Sequence, residues 1–324
     1  MLTLRAAVPV LRRAQRCVRA GVITTAAACV ESSRTAKLDS RRSHSSSSTT
    51  ASSVSPEEVA HFNGLAAAWW DPHGSSRLLH QMNPLRHDFI RHCLGQEEPL
   101  PGRILDVGCG GGIFAESAAR LTSTTAVTAI DPSAEVLAVA RTHARRDPVL
   151  QHKLHYVQAS IENMTAGSHG SPDAASPSSA SLSSTTGPFD MVTTFEVVEH
   201  VATDPGAFLA QCGRLLRPGG WLIGSTMART WISWLTTIVA AEDVLGIVPH
   251  GTHDWAKYVN PDELAAHFAP GTGAACSQGT TWETLTFQGV AYIPGLGWQV
   301  VPGSEELGNY FFGIRKGRSE STST

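Results

Sequence analysis

The chain has 324 residues, a hydrophobic content of 42% and a formal net charge of -3. Such a length and apolar content suit one large globular domain or two modest ones, and the balanced charge excludes a global attraction to nucleic acid. Six cysteines show no CxxC pair and no metal-finger spacing, so they read as isolated, mostly buried thiols in a reducing compartment.

Residues 1–30 carry Arg5, Arg12, Arg13, Arg16 and Arg19 without an acid, while Leu4, Val8, Leu11 and Val18 recur at helical spacing. A Ser/Thr-rich stretch follows from Ser40 to Ser55. An amphipathic, Arg-rich, acid-poor and Ser-rich order matches a mitochondrial transit peptide, so residues 1–50 are expected to be a targeting segment and linker. The alternative is a basic tail for nucleic acid or a membrane.

The folded part, 56–316, is predicted to begin at Ser55-Pro-Glu-Glu, a helix start whose apolar face continues to Trp69-Trp70. Asp71-Pro72-His73-Gly74 then forces a turn, and a second helix is expected from Pro84 through Leu94. From Arg103 strands alternate with helices. Strands are read at 103–107, 126–130, 154–157, 189–194 and 221–225, and helices at 113–121, 133–145 and 204–216. Arg217-Pro-Gly-Gly serves as the stop after the last helix. The alternation predicts an α/β fold with a parallel sheet covered on both faces.

Residues 165–187 are Ser, Ala, Thr, Gly and Pro with almost no large apolar side chains, and are expected to form a disordered insertion. In 231–248, Trp231, Trp234, Leu235, Ile238 and Val239 follow helical spacing, but Glu242 and Asp243 interrupt the run. It falls short of the roughly 18 apolar residues that span a bilayer, and is compatible with a core helix, a lid or an interfacial helix. Strands at 284–291 and 309–316 close the pattern as an antiparallel pair, giving seven strands in all, and 317–324 reads as a disordered tail.

The first strand ends in Asp106-Val-Gly-Cys-Gly-Gly-Gly112, a turn that lets a nucleotide-like ligand approach the backbone at Gly108 and Gly110. Asp131 ends the second strand, where a carboxylate can accept both hydroxyls of a ribose; capping the next helix is its bland role. A nicotinamide-dependent oxidoreductase shares these features. Asp106, two residues before the first glycine, instead suits the ammonium of S-adenosylmethionine, which has no pyrophosphate. If a helical turn begins at Glu196, then Glu196, Glu199 and His200 share a face and could hold a divalent cation such as Mg2+, or merely cap the turn.

Six stretches together carry a family resemblance: Phe62–Pro72 with its Trp-Trp-Asp-Pro, His80–Arg86 with Asn-Pro-Leu-Arg, Leu105–Gly112, Glu196–His200, Leu216–Gly220 and Gly251-Thr-His-Asp254. Over residues 57–316 the chain resembles the ubiquinone biosynthesis O-methyltransferases in their mitochondrial form. The resemblance implies a Rossmann-like class I methyltransferase fold. It implies methyl transfer from S-adenosylmethionine to catechol hydroxyls of polyprenylated dihydroxybenzoate and demethylubiquinol. Residues matching Arg86, Gly108, Asp131 and Phe195 are expected to hold the donor, and Glu196, Glu199 and His200 a magnesium-like ion. Without the ion, His200 or His253 would serve as general base. The family context also implies peripheral attachment to the matrix side of the mitochondrial inner membrane, a multi-subunit biosynthesis complex, no nucleic-acid partner, and a lid or interfacial role for 231–248. The insertion at 165–187 departs from the family pattern and leaves the adenine contacts near Ser160–Glu162 the least defined.

Overall fold

The structure, a computed structural model, describes residues 52–95, 98, 101–167, 187–230, 257–269 and 281–318. The targeting segment 1–50, nearly all of the 165–187 insertion, the 231–248 segment and Gly251–Asp254 with His253 lie outside the described residues, as does the chain after 318.

Five strands run parallel where the alternation placed them: β1 (Arg103–Val107), β2 (Ala126–Asp131), β3 (Leu154–Gln158), β4 (Phe189–Phe195) and β5 (Leu216–Met227). Beyond them β6 (Trp282–Ile293), β7 (Gly297–Val300) and β8 (Asn309–Lys316) are antiparallel to their neighbours. The order is β3-β2-β1-β4-β5-β8-β6-β7. The sheet therefore has eight strands where seven were expected; the extra one is β7, because Pro294-Gly-Leu-Gly297 turns the chain back on β6.

Adjacent residues of the central strands point to opposite faces, so each strand feeds two cores. Ile104 and Met191 pack with Phe89, Phe114 and Leu137 on one face. Leu105 and Val192 pack with Phe208, Leu209 and Leu264 on the other. These partners belong to α2 (Arg77–Leu94), α3 (Ile113–Ala119) and α4 (Ala134–Ala144) on the first side. On the second they belong to α6 (Pro205–Arg214) and α7 (Pro261–Phe268), with Ile161 of α5 (Ile161–Gly167). Near-continuous apolar strands are what burial on both faces selects.

Two boundaries differ from the sequence reading. Helix α2 begins at Arg77, one turn and more before Pro84, which sits inside it. Arg217-Pro-Gly-Gly does not end a helix at a loop but opens β5, where Phe189 of β4 pairs with Leu216 before the register shifts. The first helix, α1 (Pro56–Leu65), starts as expected, with the Ser55 hydroxyl accepting from the Glu58 N–H. Strand β1 lies between β2 and β4, so the chain winds away from it in both directions. Ligands of such sheets bind at the carboxyl ends of the strands beside this switch point.

Candidate active site

At the end of β1 the N–H groups of Gly108 and Cys109 both donate to the Ile130 carbonyl, at 2.9 and 3.0 Å, and lash the turn to β2. Gly108 and Gly110 have φ of 68° and 53°, the left-handed region that favours glycine. Their bare faces are crowded by protein. A β-carbon at Gly108 would stand 2.5 Å from Val197 Cγ2, and one at Gly110 would stand 2.3 Å from Trp69 Cζ2. Trp69 and Val197 were not singled out as site residues by the sequence; for Trp69 the signal was present in the Trp-Trp-Asp-Pro stretch.

Asp131 receives the Gly110 N–H on one carboxylate oxygen at 3.0 Å and the Ser133 N–H on the other at 2.9 Å. The helix cap is Ser133, whose hydroxyl accepts from the Val136 N–H, so Asp131 is not the cap of α4. Burial raises the Asp131 carboxyl above its ordinary range, opposed by those two backbone bonds.

Asp106 is 3% exposed and accepts from the Thr193 hydroxyl at 2.8 Å. Burial pushes its carboxyl up to about 7, against the Thr193 bond and the Arg86 charge. Arg86 is itself buried, so the bland role of a surface ion pair does not apply. Its guanidinium lies 4.9 Å from the centre of the Phe195 ring, and its Nε has no hydrogen-bond partner. Burial works against its charge, while Glu196 and Asp106 support it. A buried cation with a donor unused is poised for an anion such as a carboxylate.

Across the sheet edge the expected helical turn at Glu196 does not form. Glu196 adopts φ 57°, and only Val198–His200 makes a 3-10 turn. The cause is Ser225 on β5: its carbonyl and hydroxyl accept from the Glu196 N–H at 3.2 and 3.1 Å, and its hydroxyl donates to Glu196 Oε1 at 2.6 Å. Glu199 is 3% exposed; its Oε2 accepts from Thr226 at 2.9 Å, and its Oε1 has no partner. Burial, then Glu196, pushes the Glu199 carboxyl up to about 7. His200 Nδ1 donates to Glu58 Oε2 at 3.0 Å. Burial lowers the imidazole pKa, but Glu58 and Glu199 more than offset it and raise it on balance.

These positions correct the expected three-ligand metal group. Among the described residues no three His, Cys, Asp or Glu side chains come together to hold an ion, and His200 Nδ1 is taken up by Glu58. A pair of acids remains. Glu199 keeps a buried oxygen without a partner beside the charge of Glu196, a donor set that fits a hard cation.

One cavity of about 760 Å³ joins all these groups. Its lining includes Asp131, Ser160 and Ile161, Arg86, Asp106 and Phe195, and Glu196, Glu199 and His200. Apolar side chains line it too, among them Val59, Phe62, Met82, Tyr292 and Trp298. That volume accommodates a cofactor and a second organic molecule.

Such a sheet, with a glycine turn after β1, an acid ending β2 and an antiparallel strand beside β5, defines a class I methyltransferase, an enzyme class whose methyl donor is S-adenosylmethionine. A family model described as a methyltransferase domain matches residues 78–272. The fold is also that of the plantazolicin methyltransferase BpumL in complex with SAH. That structure is 18% identical at a TM-score of 0.50, with 81% of this chain and 97% of that one covered.

Curated relatives narrow the class. The mitochondrial ubiquinone biosynthesis O-methyltransferase of Schizosaccharomyces pombe is 40% identical over 82% of this chain and 87% of its own length. That of Candida albicans is 35% identical over 82% and 86%. The chain belongs to the family of ubiquinone biosynthesis O-methyltransferases.

Proposed function

We propose that the chain methylates catechol hydroxyls on polyprenylated dihydroxybenzoate and on demethylubiquinol, at the matrix face of the mitochondrial inner membrane. The observation that carries the reading is one cavity lined both by Asp106 and a buried Arg86 whose Nε has no partner, and by apolar side chains such as Val59, Phe62 and Trp298. Arg86 binds the methionine carboxylate, Asp106 its ammonium, and Asp131 the ribose hydroxyls. Phe195 packs beside the donor. The methyl carbon leaves the sulfonium sulfur as it joins the acceptor oxygen. The sulfur becomes a neutral thioether, and without an ion on the acceptor oxygen the acceptor proton passes to His200 or His253. Losing the sulfonium charge in an enclosed site is favourable, so alignment of sulfur, carbon and oxygen supplies most of the rate.

A divalent cation such as Mg2+ belongs to the same proposal, now on Glu196 and Glu199 alone. When bound there it would lower the pKa of the phenol. The partnerless Glu199 oxygen supports this.

Location in mitochondria is supported by the basic, acid-free sequence of residues 1–30 and by the relatives named mitochondrial. Among the described residues no helix is long and apolar enough to cross a membrane. Peripheral attachment is supported by the tryptophan-bearing sequence of 231–248 and by the apolar cavity wall. Membership in a multi-subunit biosynthesis complex follows the family resemblance.

The test is incubation of the full chain with methyl-labelled S-adenosylmethionine and a short-chain prenylated catechol, with and without chelator. A labelled methyl ether is expected. Absence of donor binding, with binding of NADH in its stead, would overturn the reading.

A further inference from the structure

Two adjacent tryptophans in the turn after α1 grip the glycine turn after β1, and they do so differently. Trp69 lines the cavity, whereas Trp70 and its neighbours His143 and Glu116 are not among the lining residues. Trp70 Nε1 donates to the Gly111 carbonyl at 2.9 Å. The N–H of the same peptide unit, at Gly112, donates to the Cys109 carbonyl at 3.0 Å. Carbonyl and N–H of a trans peptide point in opposite directions, so this unit is pinned at both ends. One residue earlier the Gly110 N–H donates to Asp131 at 3.0 Å. The peptide plane held by Trp70 thus sets the backbone that carries Gly108 and Gly110 along the cavity and meets Asp131.

The indole is itself held. Its ring stacks on the His143 imidazole, with centres 3.4 Å apart and planes 6° from parallel, and His80 meets it edge-on at 5.0 Å. His143, on α4, is oriented from α3, where Glu116 Oε1 accepts from its Nδ1 at 2.8 Å. Glu116 is fully buried, and its second oxygen accepts from Arg120 at 2.9 Å. A buried carboxylate with both oxygens bonded is a rigid anchor, and it sets the plane of the imidazole.

We propose that Trp70 is a positioning residue for the methyl donor: its indole N–H, set by the His143 ring, holds the Gly111 carbonyl and with it the donor-binding shape of the glycine turn. An indole has one N–H and no acceptor, so this bond is the only one its nitrogen can make. Losing it deprives the Gly111 carbonyl of this partner in a segment whose glycines lack side chains to restrict the backbone. The proposal rests on the reading that the glycine turn and Asp131 receive S-adenosylmethionine.

The test is calorimetric binding of S-adenosylmethionine to the full chain, with steady-state kinetics on a short-chain prenylated catechol. The variants are Trp70→Phe, His143→Ala, His143→Phe, the Trp70→Phe/His143→Ala double, Asp131→Ala and Cys212→Ala. Trp70→Phe keeps a ring to stack and loses the N–H. It is expected to weaken donor binding, and raise the KM for the donor, by about threefold to tenfold, the worth of one neutral hydrogen bond. At saturating donor, kcat and the KM for the catechol should stay within about twofold. His143→Ala should weaken donor binding to a similar degree. His143→Phe shares the loss of the Glu116 bond but restores a flat ring, so it should recover most of the affinity. In the double variant the His143 effect should vanish, since it acts through the indole N–H. Cys212→Ala loosens the core on the other face of the sheet, so it should lower the melting temperature and leave donor affinity unchanged.

Unchanged affinity in Trp70→Phe beside weak binding by Asp131→Ala would overturn the proposal alone. Wild-type affinity in Asp131→Ala would sink the reading of the donor site and this proposal with it. Additive losses in the double variant would mean that His143 does not act through Trp70, and would overturn the proposal. So would a loss of affinity in Cys212→Ala as large as that in Trp70→Phe, since binding would then merely follow stability. If Trp70→Phe does not fold, the two His143 variants decide, and equal donor affinity in His143→Ala and His143→Phe would overturn the proposal.

Discussion

The indole of Trp69 occupies the place of the side chain that Gly110 lacks, with Cζ2 2.3 Å from where a β-carbon on Gly110 would stand. The glycine turn is thus shaped by a tryptophan from the turn that follows α1. Gly110→Ala must either push out Trp69 or shift the turn, and it also strains a φ of 53°. Overpacking of this kind costs about 1–3 kcal/mol, and the left-handed backbone about 1–2 more. The expected outcome is a melting temperature lower by about 5 °C or more. Calorimetric binding of S-adenosylmethionine should weaken by more than about tenfold. Trp69→Phe in the same chain should recover part of both losses, and no recovery would argue that the contact does not shape the turn.

Arg86 is the clearest example of a group kept at the expense of stability. The residue is 4% exposed and its Nε has no partner. Arg86→Met keeps most of the packing on Phe195 and removes the buried charge, so the unliganded protein should melt at or above the wild-type temperature. Binding of S-adenosylmethionine should fall by about tenfold to a hundredfold, the loss of a charged hydrogen bond to a carboxylate. Arg86→Lys should also bind poorly, because an ammonium cannot make the bidentate contact. Wild-type affinity in Arg86→Met would remove Arg86 from the donor site.

Asp106 gives the donor site a pH dependence. Burial pushes its carboxyl up to about 7, so the free protein is largely protonated there below neutrality. The ammonium of the donor selects the ionised form. Affinity should therefore rise with pH up to about 7, approaching tenfold per pH unit below it, and then level off. Binding below that pH should release a proton, measurable by calorimetry in buffers of different ionisation heat. Asp106→Asn should bind weakly and without the slope. A flat affinity in the wild type across this range would contradict the assignment.

Local, periodic features were legible in the sequence. Strands β1 to β5 alternate with helices, and Gly108, Asp131 and Arg86 lie in short motifs whose spacing sets their position against the sheet. Contacts between distant segments were not. Glu58 reaches His200 across 142 positions and reads in the sequence as an ordinary acid in a first helical turn. The arrangement of Glu196, Glu199 and His200 was misread for the same reason. Helical spacing is a property of one segment, whereas Ser225, 29 residues away, pulls Glu196 out of it. Strand β7 is short and flanked by glycines, and only its pairing with β6 distinguishes it from a loop.

Glu199 links stability, pH and metal in one prediction. Its ordinary value of 4.5 is pushed up to about 7 in the fold by burial and by Glu196. Between those values the unfolded chain has lost a proton that the folded one still holds. Unfolding free energy therefore falls as pH rises from about 5 to 7, and the loss persists above that window. A cation held at this pair of acids would favour the ionised form of Glu199 in the fold and restore the stability at the alkaline end. Melting temperatures of the unliganded protein should accordingly drop across the window. Added magnesium should raise them more above pH 7 than at pH 5. Glu199→Gln removes the titrating group while keeping the acceptor for Thr226, so it should flatten the pH slope and abolish the magnesium response. An equal magnesium response in Glu199→Gln would mean that any bound cation sits elsewhere, and methyl transfer unaffected by chelator would show that the reaction proceeds without one.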